Sequence, residues 1–112
     1  MSLNSRENHR NSALICIDFI QDLVHPDGKV AAHGNADFVR RHQTLEKTAQ
    51  LQAWARRVNV PVIHVRIGFS EQYNPAPQTS PLFGHAKKNG VFISNTWGTQ
   101  FMSALAPIKD ET

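Results

Sequence analysis

The sequence predicts an α/β fold built on a parallel sheet, and three stretches predict it. Ala13-Leu14-Ile15-Cys16-Ile17 is an unbroken apolar run with two Ile, hemmed on its amino side by polar Asn11-Ser12. Residues 36–58 contain neither Pro nor Gly, and Val60 to Ile67, rich in Val and Ile, reads as a second strand. Strand, long helix, strand is a βαβ unit, whose crossover is almost always right-handed and which makes its two strands parallel.

Taken in order, residues 1–12 read as a mobile arm or short edge element. The first run reads as a strand buried on both faces, because strands of helix-covered parallel sheets are continuously apolar rather than alternating. It stops at Asp18. Open α/β sheets bind ligands at the carboxyl ends of their strands, so Asp18 is the first candidate for chemistry. Gln21 and Asp22 stand either as its helpers or as acceptors for loop amides, the second being preferred. Leu23 to Val30 carries Pro26 and the Asp27-Gly28 pair, turn chemistry that delays any helix.

One long helix is expected from about Ala36 to Val58, capped by Asn35 or Asp37, with Leu51, Trp54, Ala55 and Val58 on its apolar stripe. Asn59 ends it, and Pro61 is tolerated at the start of the second strand. Beyond Gly68 the prolines at 75, 77 and 81 exclude regular structure, leaving a long loop at the carboxyl end of a strand, where loops are usually functional or mobile. Pro81 to Lys88 forms a helical turn or two. Val91 to Ser94 is a short strand or an extended core contact. A last short helix, capped by Asn95 or Thr96 and running to about Ala106, would place Trp97, Phe101 and Leu105 on one side.

A chain of 112 residues supports one domain. No apolar run is long enough to cross a bilayer, and no secretory signal opens the chain, which leaves the cytoplasm as the expected compartment. The lone Cys16 fits that setting and precludes an intramolecular disulfide. The formal charge of +3 is spread in ones and twos such as Arg40-Arg41, Arg56-Arg57 and Lys87-Lys88. These read as solvated helix faces rather than a nucleic-acid footprint. Two strands alone leave both sheet edges open and too little apolar surface covered. Either another chain supplies the rest of the sheet, which makes a homo-oligomer the expected state, or the polypeptide is a fragment of a longer one.

Four segments in sequence order carry a resemblance: Ala13 to Asp22; the loop His25-Pro26-Asp27-Gly28-Lys29; Val62 to Phe69; and Ser80-Pro81-Leu82-Phe83-Gly84 with Thr96-Trp97-Gly98-Thr99. Through them residues 13–108 resemble the isochorismatase-like cysteine hydrolases, relatives of nicotinamidases and N-carbamoylsarcosine amidases. The resemblance implies a flavodoxin-like three-layer α/β sandwich with a parallel sheet, incomplete here, so that residues 1–112 form a single domain corresponding to the amino-terminal portion of such a hydrolase. It also implies a catalytic Asp, Lys and Cys. Asp18 matches the Asp. The family's Lys follows the Pro-containing turn after the Trp-Gly segment, whereas Lys109 sits within that turn. The family's Cys opens a later helix, whereas Cys16 lies inside the first strand, where burial makes it an inert core residue.

The implied chemistry is attack of a Cys thiolate on an amide or related carbonyl, with Asp accepting the thiol proton and returning it to the leaving group. The branch acting on isochorismate resembles this architecture but uses the Asp as a general acid toward a vinyl ether. Nicotinamidase-like relatives hold a divalent ion on an Asp-x-His pair after the second strand. Residues 66–71 have no such pair, so neither metal nor other cofactor is expected. His64 has no second His nearby in sequence, and His9, His25, His33, His42 and His85 lack ligand spacing. Arg66 could grip a substrate carboxylate or pair with Asp18 or Asp22. Phe69, Tyr73 and Trp97 could wall a pocket for a small planar substrate or close a core.

Overall fold

A computed structural model describes residues 9, 11–74 and 79–112. The reading of residues 1–12 as an arm therefore falls largely outside the described residues, as do Pro75 and Pro77. Strands β1 (Leu14–Ile17) and β2 (Val62–Val65) pair in parallel, Leu14 opposite Val62 and Ile17 opposite Val65. Between them run α1 (Gln21–Val24), a 3-10 turn (Ala31–His33), α2 (Asn35–Arg41) and α3 (Thr44–Arg57). After β2 come α4 (Pro81–Asn89) and 3-10 turns at Trp97–Thr99 and Ser103–Leu105. This is the α/β, parallel-sheet architecture that the strand-helix-strand pattern predicts. Among the described residues no helix is long and apolar enough to cross a membrane.

The connection between the strands is broken where the sequence predicts one helix. Gln43, at a left-handed φ of 53°, turns the chain between α2 and α3. α2 packs on α1 and the 31–33 turn while α3 packs on β2, two directions that no straight helix serves. Neither Asn35 nor Asp37 caps α2: Gly34 holds the cap position and Asp37 pairs with Arg40 and Arg41. Asn59, with φ of 62°, follows the end of α3 as expected.

The expected final helix is also replaced. Residues 100–102 are extended because their backbone is engaged by the segment leaving β1: Gln21 N–H donates to Gln100 O, and Met102 N–H to Phe19 O. Ile20 and Phe101 consequently bridge antiparallel, and Trp97 falls on the surface while Leu105 is buried. Val91 to Ser94 is neither a strand nor extended throughout: Phe92 turns at a left-handed φ of 63°, and Ile93 alone bridges Phe69 in parallel.

Two cores result. One lies on one sheet face, where Cys16 and Val62 meet Ala55 and Val60. The other gathers beyond the carboxyl ends of the strands from Ile20, Tyr73, Ala86, Val91 and Phe92. The opposite sheet face is uncovered: Ile15, Ile17 and Val65 are 54%, 59% and 42% exposed. This corrects the expectation of a first strand buried on both faces, since α3 covers only the face shared by Cys16. The two-residue period of a strand sends Ile15 and Ile17 to the other side.

Residues near the carboxyl end of the chain close the outer edge of β2. His64 N–H donates to Thr112 O at 2.7 Å. Glu111 receives both Arg56 Nε and Nη2 at 2.8 Å, and lies 2.9 Å from His64 Nε2. The Arg56 hydrogen bonds lower the Glu111 carboxyl to about 2, aided by His64 and the Ile108 N–H and opposed by burial. Because this folded value lies below the unfolded one, the stabilisation is complete above pH ~4.5 and disappears as pH falls toward 2. Denaturant midpoints measured from pH 7 to pH 2 should show a loss of about 2 kcal/mol across that window beyond the loss in Glu111→Gln.

Candidate active site

β1 delivers Asp18 to the end of the sheet, and the backbone there leaves the strand at once. Asp18 N–H still donates to Val65 O at 2.8 Å, but its own φ is 64°, a left-handed conformation that Asp tolerates better than most residues. The next donor along β2, Ile67 N–H, then finds the side-chain Oδ1 of Asp18 at 3.1 Å. The carboxylate thus substitutes for a ladder carbonyl with one oxygen. Among the described residues no hydrogen-bond donor engages its Oδ2, and the half-buried side chain has one acceptor left for chemistry.

Four residues on, Asp22 is 3% exposed and plays a different part. Its Oδ2 accepts the Phe92 N–H at 2.9 Å, the loop-amide role preferred from the sequence. Phe92 sits at a left-handed φ of 63°, so the carboxylate fixes a strained residue of the 91–94 segment. Gly98 lies against the same carboxylate, where a Cβ would come within 2.2–2.4 Å of Asp22 Oδ2, Cγ and Oδ1. Gln21 Nε2 adds a hydrogen bond to Trp97 O at 2.9 Å. The turn at 97–99 is therefore drawn onto the segment that follows β1.

Arg66 reaches the same turn from β2. Its Nη1 donates to Thr99 O at 3.0 Å and its guanidinium lies 4.8 Å from the Phe101 ring centroid. This is neither of the ion pairs that the sequence allows. Phe69 stands 5.4 Å from Tyr73 and 5.5 Å from Phe83 between ring centroids, all near the second core. Tyr73 is buried, with its hydroxyl donating to Val91 O at 2.6 Å, and burial followed by the charge of Asp22 raises its pKa. Trp97 is exposed and meets His25 edge-on at 4.9 Å. It borders a cavity of about 230 Å³ together with Asp22, Lys29, Thr96 and Gly98.

Sequence reasoning missed two features of this region. Lys29 Nζ donates to Gly90 O at 2.9 Å across 61 positions, and Gly98 touches a buried carboxylate. Neither spacing leaves a local signal. Cys16 is buried, and Gln52 Nε2 on α3 lies 3.4 Å from its Sγ. Among the described residues no group of three or more His, Cys, Asp or Glu is placed to hold a metal ion. A larger hollow of about 540 Å³, bordered by Arg56, Pro61 and Glu111, is on the amino-terminal side of β2 and does not include Asp18.

Comparison with known proteins agrees with this architecture. The family model described as the isochorismatase domain matches residues 12–112. A solved structure of a cysteine hydrolase from Pseudomonas syringae pv. phaseolicola 1448A is similar over 88% of this chain, with TM-score 0.63 and 25% identity. The match covers 43% of that structure's chain, so the residues here span less than half of its length. No curated protein matches significantly.

Proposed function

Because the chain belongs to the isochorismatase family, we propose that it carries the Asp-bearing part of a hydrolase site for a small amide or related substrate, with Asp18 as the acid/base group. The observation that carries this reading is the carboxylate at the end of β1, with Oδ1 held by Ile67 N–H and no donor among the described residues on Oδ2. In amide hydrolysis of this kind a Cys thiol gives its proton to the Asp carboxylate as sulfur bonds to the carbonyl carbon. The proton then passes to the leaving nitrogen as the C–N bond breaks, and water releases the acyl group. A nearby Lys favours the charged forms by its own charge. In this reading the exposed indole of Trp97 flanks the substrate, Phe69 and Tyr73 back the wall, and Arg66 holds it through Thr99. The setting is the cytoplasm, where Cys16 stays a thiol.

Lys109 is exposed and Cys16 is buried within β1, and this reading takes neither as the missing Lys or Cys. The 112-residue chain alone should be inert toward primary amides and vinyl ethers. Adding the unmatched portion of the Pseudomonas syringae cysteine hydrolase should restore amide turnover dependent on Asp18. Turnover by the isolated chain that is abolished in Asp18→Asn would contradict the inert half-site.

A second, non-catalytic reading rests on the uncovered sheet face. Exposed Ile15, Ile17 and Val65, together with the outer edge of β1, suit association with another copy of the chain. Solution mass measured across concentrations should then show a dimer or larger species that Ile17→Glu dissociates. A monomer at all concentrations would contradict it.

A further inference from the structure

The cavity beside Trp97 has a floor and a rim of different chemistry. Its floor includes Asp22, whose Oδ2 is committed to Phe92 N–H while no donor among the described residues reaches Oδ1. No fully buried side-chain oxygen among the described residues lacks a partner, so Oδ1 keeps some access to solvent on a residue that lines this cavity. Gly98 keeps it open, because any Cβ there would overlap the carboxylate. The rim carries Asp27 and Lys29, one charge of each sign, and the Lys29 ammonium is tied to Gly90 O. The rim charges offset one another, and the buried carboxylate decides the sign of the site.

We propose that this cavity binds a compact organic cation bearing N–H donors, of the primary ammonium or amidinium class, with its charged head on Asp22 Oδ1 and its body against the indole of Trp97. A buried carboxylate with a free lone pair gives a charge-assisted hydrogen bond, the strong kind, and an aromatic face adds attraction for a cation. The volume of about 230 Å³ admits a small molecule and excludes a polymer. The proposal does not use Asp18 but shares the Trp97 indole with the hydrolase reading; the titration reads binding without turnover, so its failure is distinguishable from a failure of that reading.

The test is a titration of the isotopically labelled chain with ethylammonium, acetate and acetamide, followed through the Trp97 indole and Gly98 amide resonances. Ethylammonium should shift both saturably in the millimolar range, and acetate should not. Asp22→Asn, which keeps an oxygen for Phe92 N–H, should weaken binding at least about tenfold, the loss of a charge-assisted hydrogen bond. If that variant does not fold, Trp97→Ala on the exposed indole should weaken binding several-fold, read at Gly98. No saturable shift, equal response to acetamide, tighter response to acetate, or unchanged binding in the variants would each overturn the proposal.

Discussion

Alanine at Gly28 should lower the unfolding free energy by about 3 kcal/mol, among the larger losses a single methyl can cause. The added Cβ would stand 2.0 Å from Gln21 O and 2.7 Å from Asp22 O, both backbone atoms. These carbonyls cannot simply retreat: Gln21 O accepts His25 N–H, Asp22 O accepts Val30 N–H, and Gly28 N–H itself donates to His25 O. The cost is steric, since Gly28 is not in the left-handed region, unlike Gly34 with φ of 124° and open space around it. Gly34→Ala should cost only about 1 kcal/mol, from backbone strain alone. Urea unfolding of the two variants separates the effects. A Gly28→Ala midpoint close to that of the parent would show that the loop after α1 is not packed as described.

The second large effect concerns chemistry. When the rest of the site is supplied, Asp18→Asn should cut turnover by about 10²–10⁴-fold, the usual contribution of a positioned proton-transfer group. The substitution preserves the contact that matters to the fold. An Asn side-chain oxygen can still accept the Ile67 N–H that Asp18 Oδ1 accepts at 3.1 Å, so denaturant stability should stay within about 1 kcal/mol. Loss of rate with stability retained separates an acid/base role from a strand-end cap. Equal loss of both would assign Asp18 to structure.

How much of this can be read in the chain differs from residue to residue. Both strands are legible because short stretches rich in β-branched residues, bounded by polar or turn residues, are too short for a buried helix and suit a strand, even with His64 inside the second. Asp18 is legible for the same reason, as the first carboxylate after such a run. The Gln43 corner is not, because nothing at His42-Gln43 forbids a helix and the break follows from where α2 and α3 must pack. The extended backbone at 100–102 likewise follows from partners some 80 positions away. Glu111, Arg56 and His64 come together across 47 and 55 positions, beyond any local pattern. The exposed face of Ile15 and Ile17 shows where composition misleads: apolar residues on both sides of a strand report a sheet suited to being covered twice, while the residues described cover it once.

A sheet half-covered and open along β1 among the described residues is what both functional readings require, and amide hydrogen exchange in β1 at low concentration measures it directly. Leu14 and Asp18 N–H, bonded to Pro61 O and Val65 O, should exchange slowly, while Ile15 and Ile17, whose amides alternate to the free edge, should exchange nearly as in an unfolded chain. Ile15 and Ile17 amides as protected as those of Leu14 and Asp18 in the monomer would contradict the open edge.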